Sequence, residues 1–178
     1  SIVSTKKATK SLNRKDFVWS FKTQNNNITT TQHSTVIMKN LLMAAAVGDI
    51  AGSAYEGRTH RTKDYNAVKM FSSRAHFTDD TVLTFACAEA FLKNKNMADN
   101  LWMCANQHPH AGYGHRFKQW IKDHDHEPYG SMGNGSAMRC SSAGWLARTK
   151  EECIDLATQT ATPTHNHPEG INGAVATA

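Results

Sequence analysis

The chain has 178 residues, 39% of them hydrophobic, and a formal net charge of +5. That length and apolar content suit one folded domain with a real core and exclude a wholly disordered chain. The charge would argue for a nucleic-acid partner if it were spread over the molecule, but residues 1–40 hold seven Lys and Arg against the single acid Asp16, and the rest holds 13 basic and 14 acidic residues. The basicity belongs to the N-terminal segment, so nucleic acid is not the expected partner.

Residues 1–37, with "TQNNNITTTQHST" at their end, are polar, basic and without a sustained hydrophobic period. They are expected to form a flexible extension, and their acid-poor composition also fits an organelle transit peptide. The folded body is expected over 38–178, opening with "MKNLLMAAAVGDIAG". There Leu41, Leu42, Ala45 and Ala46 make an apolar stripe at helical spacing, and Ala44, Gly48, Ala51 and Gly52 are expected to let helices approach closely. The surrounding apolar run is broken by Lys39 and Asn40 and falls short of the roughly 20 residues of a membrane span. No membrane association is expected.

"FTDDTVLTFACAEAFL" reads as the next helix, with Val82, Phe85, Ala86, Ala88, Ala90 and Leu92 on its apolar face. "MADNLWMCANQ", "GHRFKQWIKD", "SAMR" and "TKEECIDLATQTA" continue the helical pattern, joined by connectors containing Gly, Asn and Pro. With no period-2 strand of convincing length, the expectation is an all-α, compact multi-helix bundle. Cys87, Cys104, Cys140 and Cys153 form no CxxC pair and sit in helical segments, as reduced thiols of a cytoplasmic protein would. The last segment, "GINGAVATA", stops in mid-pattern without a cap, so the fold is expected to be incomplete at its C-terminus.

Four segments carry candidate chemistry. In "HFTDDTVLT", Thr78 is placed as an N-cap with Asp79 and Asp80 in the first turn, where the helix dipole favours anions. The same acids, about 100° apart around a helix, also suit a hard divalent cation, which takes oxygen ligands, with the Thr78 hydroxyl as a third donor. "GDIAGSAYEG" adds Asp49 and Glu56, which share a helix face only if the helix survives Gly52. "PYGSMGNGSAMR" spaces Gly130, Gly133 and Gly135 with small polar residues ahead of a helix, a composition found both in plain turns and in loops that cradle a pyrophosphate. "HAGYGHRF" offers a second glycine loop through Gly112 and Gly114. Seven of the ten histidines lie from His108 to His167, but their steps match no compact zinc pattern.

Taken in order, "GDIAGSAYEG", "FTDDTVLT", "GYGHRFKQW", "GNGSAMR" and "THNHPEGINGA" resemble the ADP-ribosylglycohydrolase family. The resemblance runs from about Met38 to Ala178 and implies a helical fold holding two divalent ions, Mg2+ or Mn2+, beside an ADP-ribose cleft. It implies metal-dependent hydrolysis of the N- or O-glycosidic bond between ADP-ribose and an acceptor, which is an ADP-ribosylated protein or small molecule. Thr78, Asp79 and Asp80 map onto metal ligands, and Glu56 onto the acid beside the metals. Glu56, Asp79 and Asp80 carry the catalytic role. Gly130, Ser131, Met132 and Gly133 map onto the phosphate loop, assisted by Gly114, and His165 onto a substrate contact. The family's closing Asp-x-Asp-Thr motif has no counterpart up to Ala178, and Asp123, Asp125 and Glu127 do not replace it. The expectation is therefore an enzyme of this type represented by a fragment or a degenerate member, with the activity of this chain left open. The alternative is a non-catalytic structural or ADP-ribose-binding relative of the same fold, comparable to the jellyfish crystallins that resemble the family.

Overall fold

The computed structural model describes residues 30–56, 62–124 and 126–178, with the side chains of the first helix described from Met38 onward. Asp125 and residues 1–29 of the expected extension lie outside the described residues. Among the described residues eight α-helices follow in order: α1 Thr30–Ser53, α2 Asp79–Leu92, α3 Met97–Gln107, α4 His115–Asp123, α5 Gly135–Arg139, α6 Ser141–Leu146, α7 Lys150–Ala161 and α8 Pro168–Thr177. No strand occurs among the described residues, so the bundle is all-helical as expected. Helical backbone begins at Thr30, ahead of the boundary expected at Met38.

The fold is arranged around α2. Every residue from Thr81 to Ala90 is buried, which requires neighbours on all sides rather than one apolar face. Alanines and Cys87 keep that helix thin. On one side Val82, Leu83 and Ala86 pack with Leu101 and Cys104 of α3 and with Phe117 and Trp120 of α4. On another, Phe85 and Ala88 meet Met38, Leu42 and Ala46, an i, i+4, i+8 row on α1. A third cluster joins Cys140 and Ala143 to Ala157, Ala161 and Ala174, tying the α5–α6 segment to α7 and α8.

Two sequence expectations change here. Leu92, assigned to the apolar face, is 42% exposed, because the buried stretch of α2 ends two residues earlier. Gly48 and Gly52 do not serve close helix approach: a Cβ at either position would meet nothing within 4 Å. Two of the polar groups that enter the core tie neighbouring elements together. Asn100 donates to the Ala86 carbonyl at 2.7 Å, pinning α3 to α2. Buried Glu89 takes Lys93 and Lys95 at 2.6 and 3.1 Å.

Cys87, Cys104, Cys140 and Cys153 are free thiols. His124 and His126 pack on Trp102, and His126 also stacks on Trp120 and pairs with Asp99 at 2.8 Å. Those contacts are structural. No helix among the described residues is long and apolar enough to cross a membrane.

Candidate active site

The site begins where α1 ends. The helix continues through Gly52 to Ser53, and a turn then leads to Glu56. Four residues before that end, Asp49 reaches the start of α2. Its Oδ1 accepts from the Thr78 hydroxyl at 2.7 Å, and its Oδ2 accepts from the Thr78 backbone N–H at 2.7 Å and from the Thr81 N–H and hydroxyl at 3.2 and 2.5 Å. Thr78 and Thr81 fall three positions apart and so share one side of α2, turned to Asp49, while Asp79 and Asp80 are carried round to other sides. The Ser53 hydroxyl accepts from the His76 N–H at 3.0 Å, so the segment before α2 is tied to the same helix end.

This arrangement bears on the two readings of the paired acids. Thr78 is the N-cap, as the sequence indicates, and its hydroxyl oxygen accepts from the Asp80 N–H at 3.2 Å. With the Thr81 N–H held by Asp49, the first turn is capped without help from the Asp80 carboxylate. A carboxylate stabilised by a helix terminus loses protons more readily. The reverse holds here. Burial, and after it the charge of Asp80, pushes Asp79 up to about 6. Asp80 is raised by burial and then by Asp49, and Glu56 by burial and then by Asp80 and Asp49, with only His76 opposing. Three acids therefore lie within each other's field, and the N-terminal end of α2 holds more negative charge than it neutralises.

Asp79 also lines a cavity of about 460 Å³. Across from it stand Ser131, Met132, Gly133, Asn134 and Gly135, with Gly114, Arg116 and Tyr129 from the α4 side and His165 and Arg139 deeper in. Gly130 opens the loop at a φ of 60°, and Gly112, at 101°, brings its backbone near the Asp79 carboxylate; both conformations are disfavoured for residues with a Cβ. Arg116 lies over the Tyr129 ring at 4.7 Å and donates to the Tyr129 carbonyl.

Of the residues expected from sequence, Asp79, Gly114, Ser131, Met132, Gly133 and His165 line this one cavity. Gly130 sits at the base of the loop. Asp80 and Glu56 join through their charge on Asp79 rather than through the wall, and Thr78 is buried beneath them. Gly135, read from sequence as part of the glycine loop, lines the cavity as well, and Asn134, Tyr129 and Arg139 line it without having been assigned a role, though all three stand in "PYGSMGNGSAMR". The grip of Asp49 was also missed, and its only trace in the sequence is the pair of threonines flanking "DD".

The acid wall offers carboxylate and hydroxyl oxygens and no nitrogen or sulfur, which is the donor chemistry of a hard cation such as Mg2+ or Mn2+. In donor type and in excess charge these residues fit such an ion. Among the described residues, however, no three His, Cys, Asp or Glu are grouped closely enough to hold one by themselves.

The family model of ADP-ribosylglycohydrolase matches residues 37–178 of this all-helical bundle. The chain belongs to the ADP-ribosylglycohydrolase family. Among curated proteins it is similar to the ADP-ribosylhydrolase ARH3 of Xenopus tropicalis, 27% identical over 161 residues, a match covering 75% of this chain. The chain spans about half the length of that relative, 46%.

Proposed function

We propose that this chain forms the ADP-ribose-binding wall and part of the metal site of an enzyme that hydrolyses the glycosidic bond between ADP-ribose and an acceptor. The observation that carries the reading is that Asp79 and the Ser131–Gly133 loop line one cavity. A diphosphate needs converging donors, and a ribose whose C1 is to be attacked needs carboxylates nearby, because positive charge develops on the sugar ring as the bond breaks. A loop of small residues brings backbone N–H groups close to an anion. Acids at the opposite wall supply the negative field.

Thr78, Asp79, Asp80 and Glu56 are the residues that would hold Mg2+ or Mn2+. When bound, such an ion grips hydroxyl oxygens and lowers the pKa of a coordinated water. The chain's own residues have separate tasks. Asp49 accepts the hydrogen bond of the Thr78 hydroxyl and the Asp80 N–H occupies one lone pair of that oxygen, which leaves its other lone pair to face a cation. Among these acids Asp79 is the one that lines the cavity, so its carboxylate is the best placed to lie near the reacting bond. Gly130, Ser131, Met132 and Gly133, with Gly114 beside them, hold the phosphates.

The test is a calorimetric titration of ADP-ribose in Mg2+, paired with an assay for ADP-ribose released from an ADP-ribosylated peptide. Binding that Asp79→Asn with Asp80→Asn abolishes is the expected result. Absence of binding at millimolar ADP-ribose overturns the reading. Binding without release favours the non-catalytic ADP-ribose-binding alternative.

A further inference from the structure

His165 was expected to touch the substrate, yet it is 2% exposed and both ring nitrogens are engaged by the protein. Nδ1 lies 2.7 Å from the Thr164 hydroxyl oxygen, and Nε2 lies 3.1 Å from the Gly133 carbonyl. The Thr164 oxygen is in turn 2.8 Å from Nη2 of Arg139. Arg139 is itself fully buried, and its remaining bonds go to the carbonyls of Thr160 at 2.9 Å and Ala161 at 3.4 Å.

The direction of this chain follows from what each group is able to do. A guanidinium only donates, so Thr164 accepts from Arg139 and its own proton is available to His165 Nδ1. A carbonyl only accepts, so Nε2 must carry the hydrogen that reaches Gly133. Both ends require the same neutral tautomer, protonated on Nε2 alone. Adding a second proton at Nδ1 would place an imidazolium beside a buried guanidinium and leave the Thr164 oxygen accepting from two cations. Burial and the Arg139 charge indeed bring His165 down to about 4.

The surroundings hold the ring as tightly as the bonds do. A Cβ on Gly135 would stand 3.3 Å from His165 Cε1, and one on Gly170 would stand 3.1 Å from its Cβ and 2.8 Å from the Ser131 carbonyl oxygen. Ser131 N–H donates to the Thr164 carbonyl at 3.0 Å, joining loop and turn a second time. Because the peptide bonds are trans, fixing the Gly133 carbonyl toward His165 turns the Asn134 N–H the opposite way.

We infer that His165 is a positioning residue, locked by Arg139 through Thr164 as the neutral Nε2–H tautomer, whose work is to orient the Gly133–Asn134 peptide from behind the loop. This rests on the reading of the loop as the ADP-ribose site, but the central test does not. Nitrogen-15 NMR of the imidazoles in the full chain is expected to show one His165 tautomer, protonated on Nε2, that stays neutral down to about pH 5. A ring that averages between tautomers, or one that protonates near pH 6.5, overturns the inference whether or not ADP-ribose binds.

Thr164→Val, which keeps the shape and removes the hydroxyl, is expected to free the tautomer and to weaken ADP-ribose binding about tenfold, the effect of one lost hydrogen bond. Thr164→Ser restores both. Should Thr164→Val fail to fold, the wild-type spectrum and the serine variant still decide. Direct perturbation of Nε2 by ADP-ribose, with the Gly133 bond broken, would return His165 to the role of a ligand contact. Complete absence of ADP-ribose binding with the tautomer intact would instead count against the loop reading alone.

Discussion

The two sides of the cavity handle charge in opposite ways. At the start of α2, burial raises Asp79, Asp80 and Glu56 toward protonation, and repulsion from neighbouring acids, Asp49 among them in each case, raises them further. Behind the glycine loop, Arg139 is buried at least as deeply, but three neutral oxygens receive it and a directed chain of bonds leads on through Thr164 and His165 to Gly133. One side stores electrostatic strain that a cation would relieve. The other is held by hydrogen bonds from Nε and Nη2 of Arg139 to neutral oxygens of the protein itself. A site that must bind both a metal and an anion can use a wall of each kind, because strain favours capture and satisfaction favours preorganisation.

Removing the anchor of the satisfied side should have the largest effect. Arg139→Ala removes three buried hydrogen bonds and opens a cavity, so unfolding in urea should show a loss of about 3 kcal/mol or more. Next comes Asp49→Asn. It exchanges a carboxylate that accepts four hydrogen bonds for an amide whose NH2 faces donors, and it should destabilise by about 2–3 kcal/mol on the same measurement. Gly170→Ala pushes a methyl against the Ser131 carbonyl and the His165 ring and should lower stability by about 1–3 kcal/mol; a neutral result would mean that loop and turn are less tightly joined than described.

The strained side should respond in the other direction. Asp79→Asn is expected to raise metal-free stability by roughly 1 kcal/mol after solvent screening, since it removes a desolvated, repelled charge. The helix dipole alone predicts a small loss instead. Thermal melts with and without Mg2+ separate the two, because the ion should stabilise the wild type and leave the variant unmoved.

Acid titration gives the smallest and most specific signal. His165 has its folded value near 4, below its ordinary 6.5, so stability present above pH 6.5 is lost as pH falls toward 4. Asp79 is raised from 3.8 to about 6, so its unfavourable contribution above pH 6 fades as pH falls toward 3.8. The two oppose each other between about pH 4 and 6. Denaturant midpoints should therefore fall more steeply with acid in Asp79→Asn than in the wild type.

Much of the framework could be read from the sequence because it depends on local chemistry. The α3 boundaries coincide with "MADNLWMCANQ", Thr78 caps α2 as its hydroxyl and position indicate, and the glycine loop precedes a short helix. What failed were readings that depend on neighbours. A stripe was assigned to α2, whereas the helix is buried all round, and Gly48 and Gly52 were credited with packing that does not occur there. In both cases composition is compatible with either environment, and only the placement of other helices selects one.

By itself, then, the sequence determined the helical class, the positions of the caps and turns, and which residues are chemically able to meet a cation or a phosphate. Those properties follow from backbone preference and side-chain type within a few residues. The tertiary structure alone decided that Asp49 takes over the cap of α2 and leaves Asp79 and Asp80 uncompensated, and that His165 supports the loop from within. Both outcomes join groups 29 or more residues apart, at distances that depend on how α1, α2 and α7 pack. Local pattern carries no information about such distances.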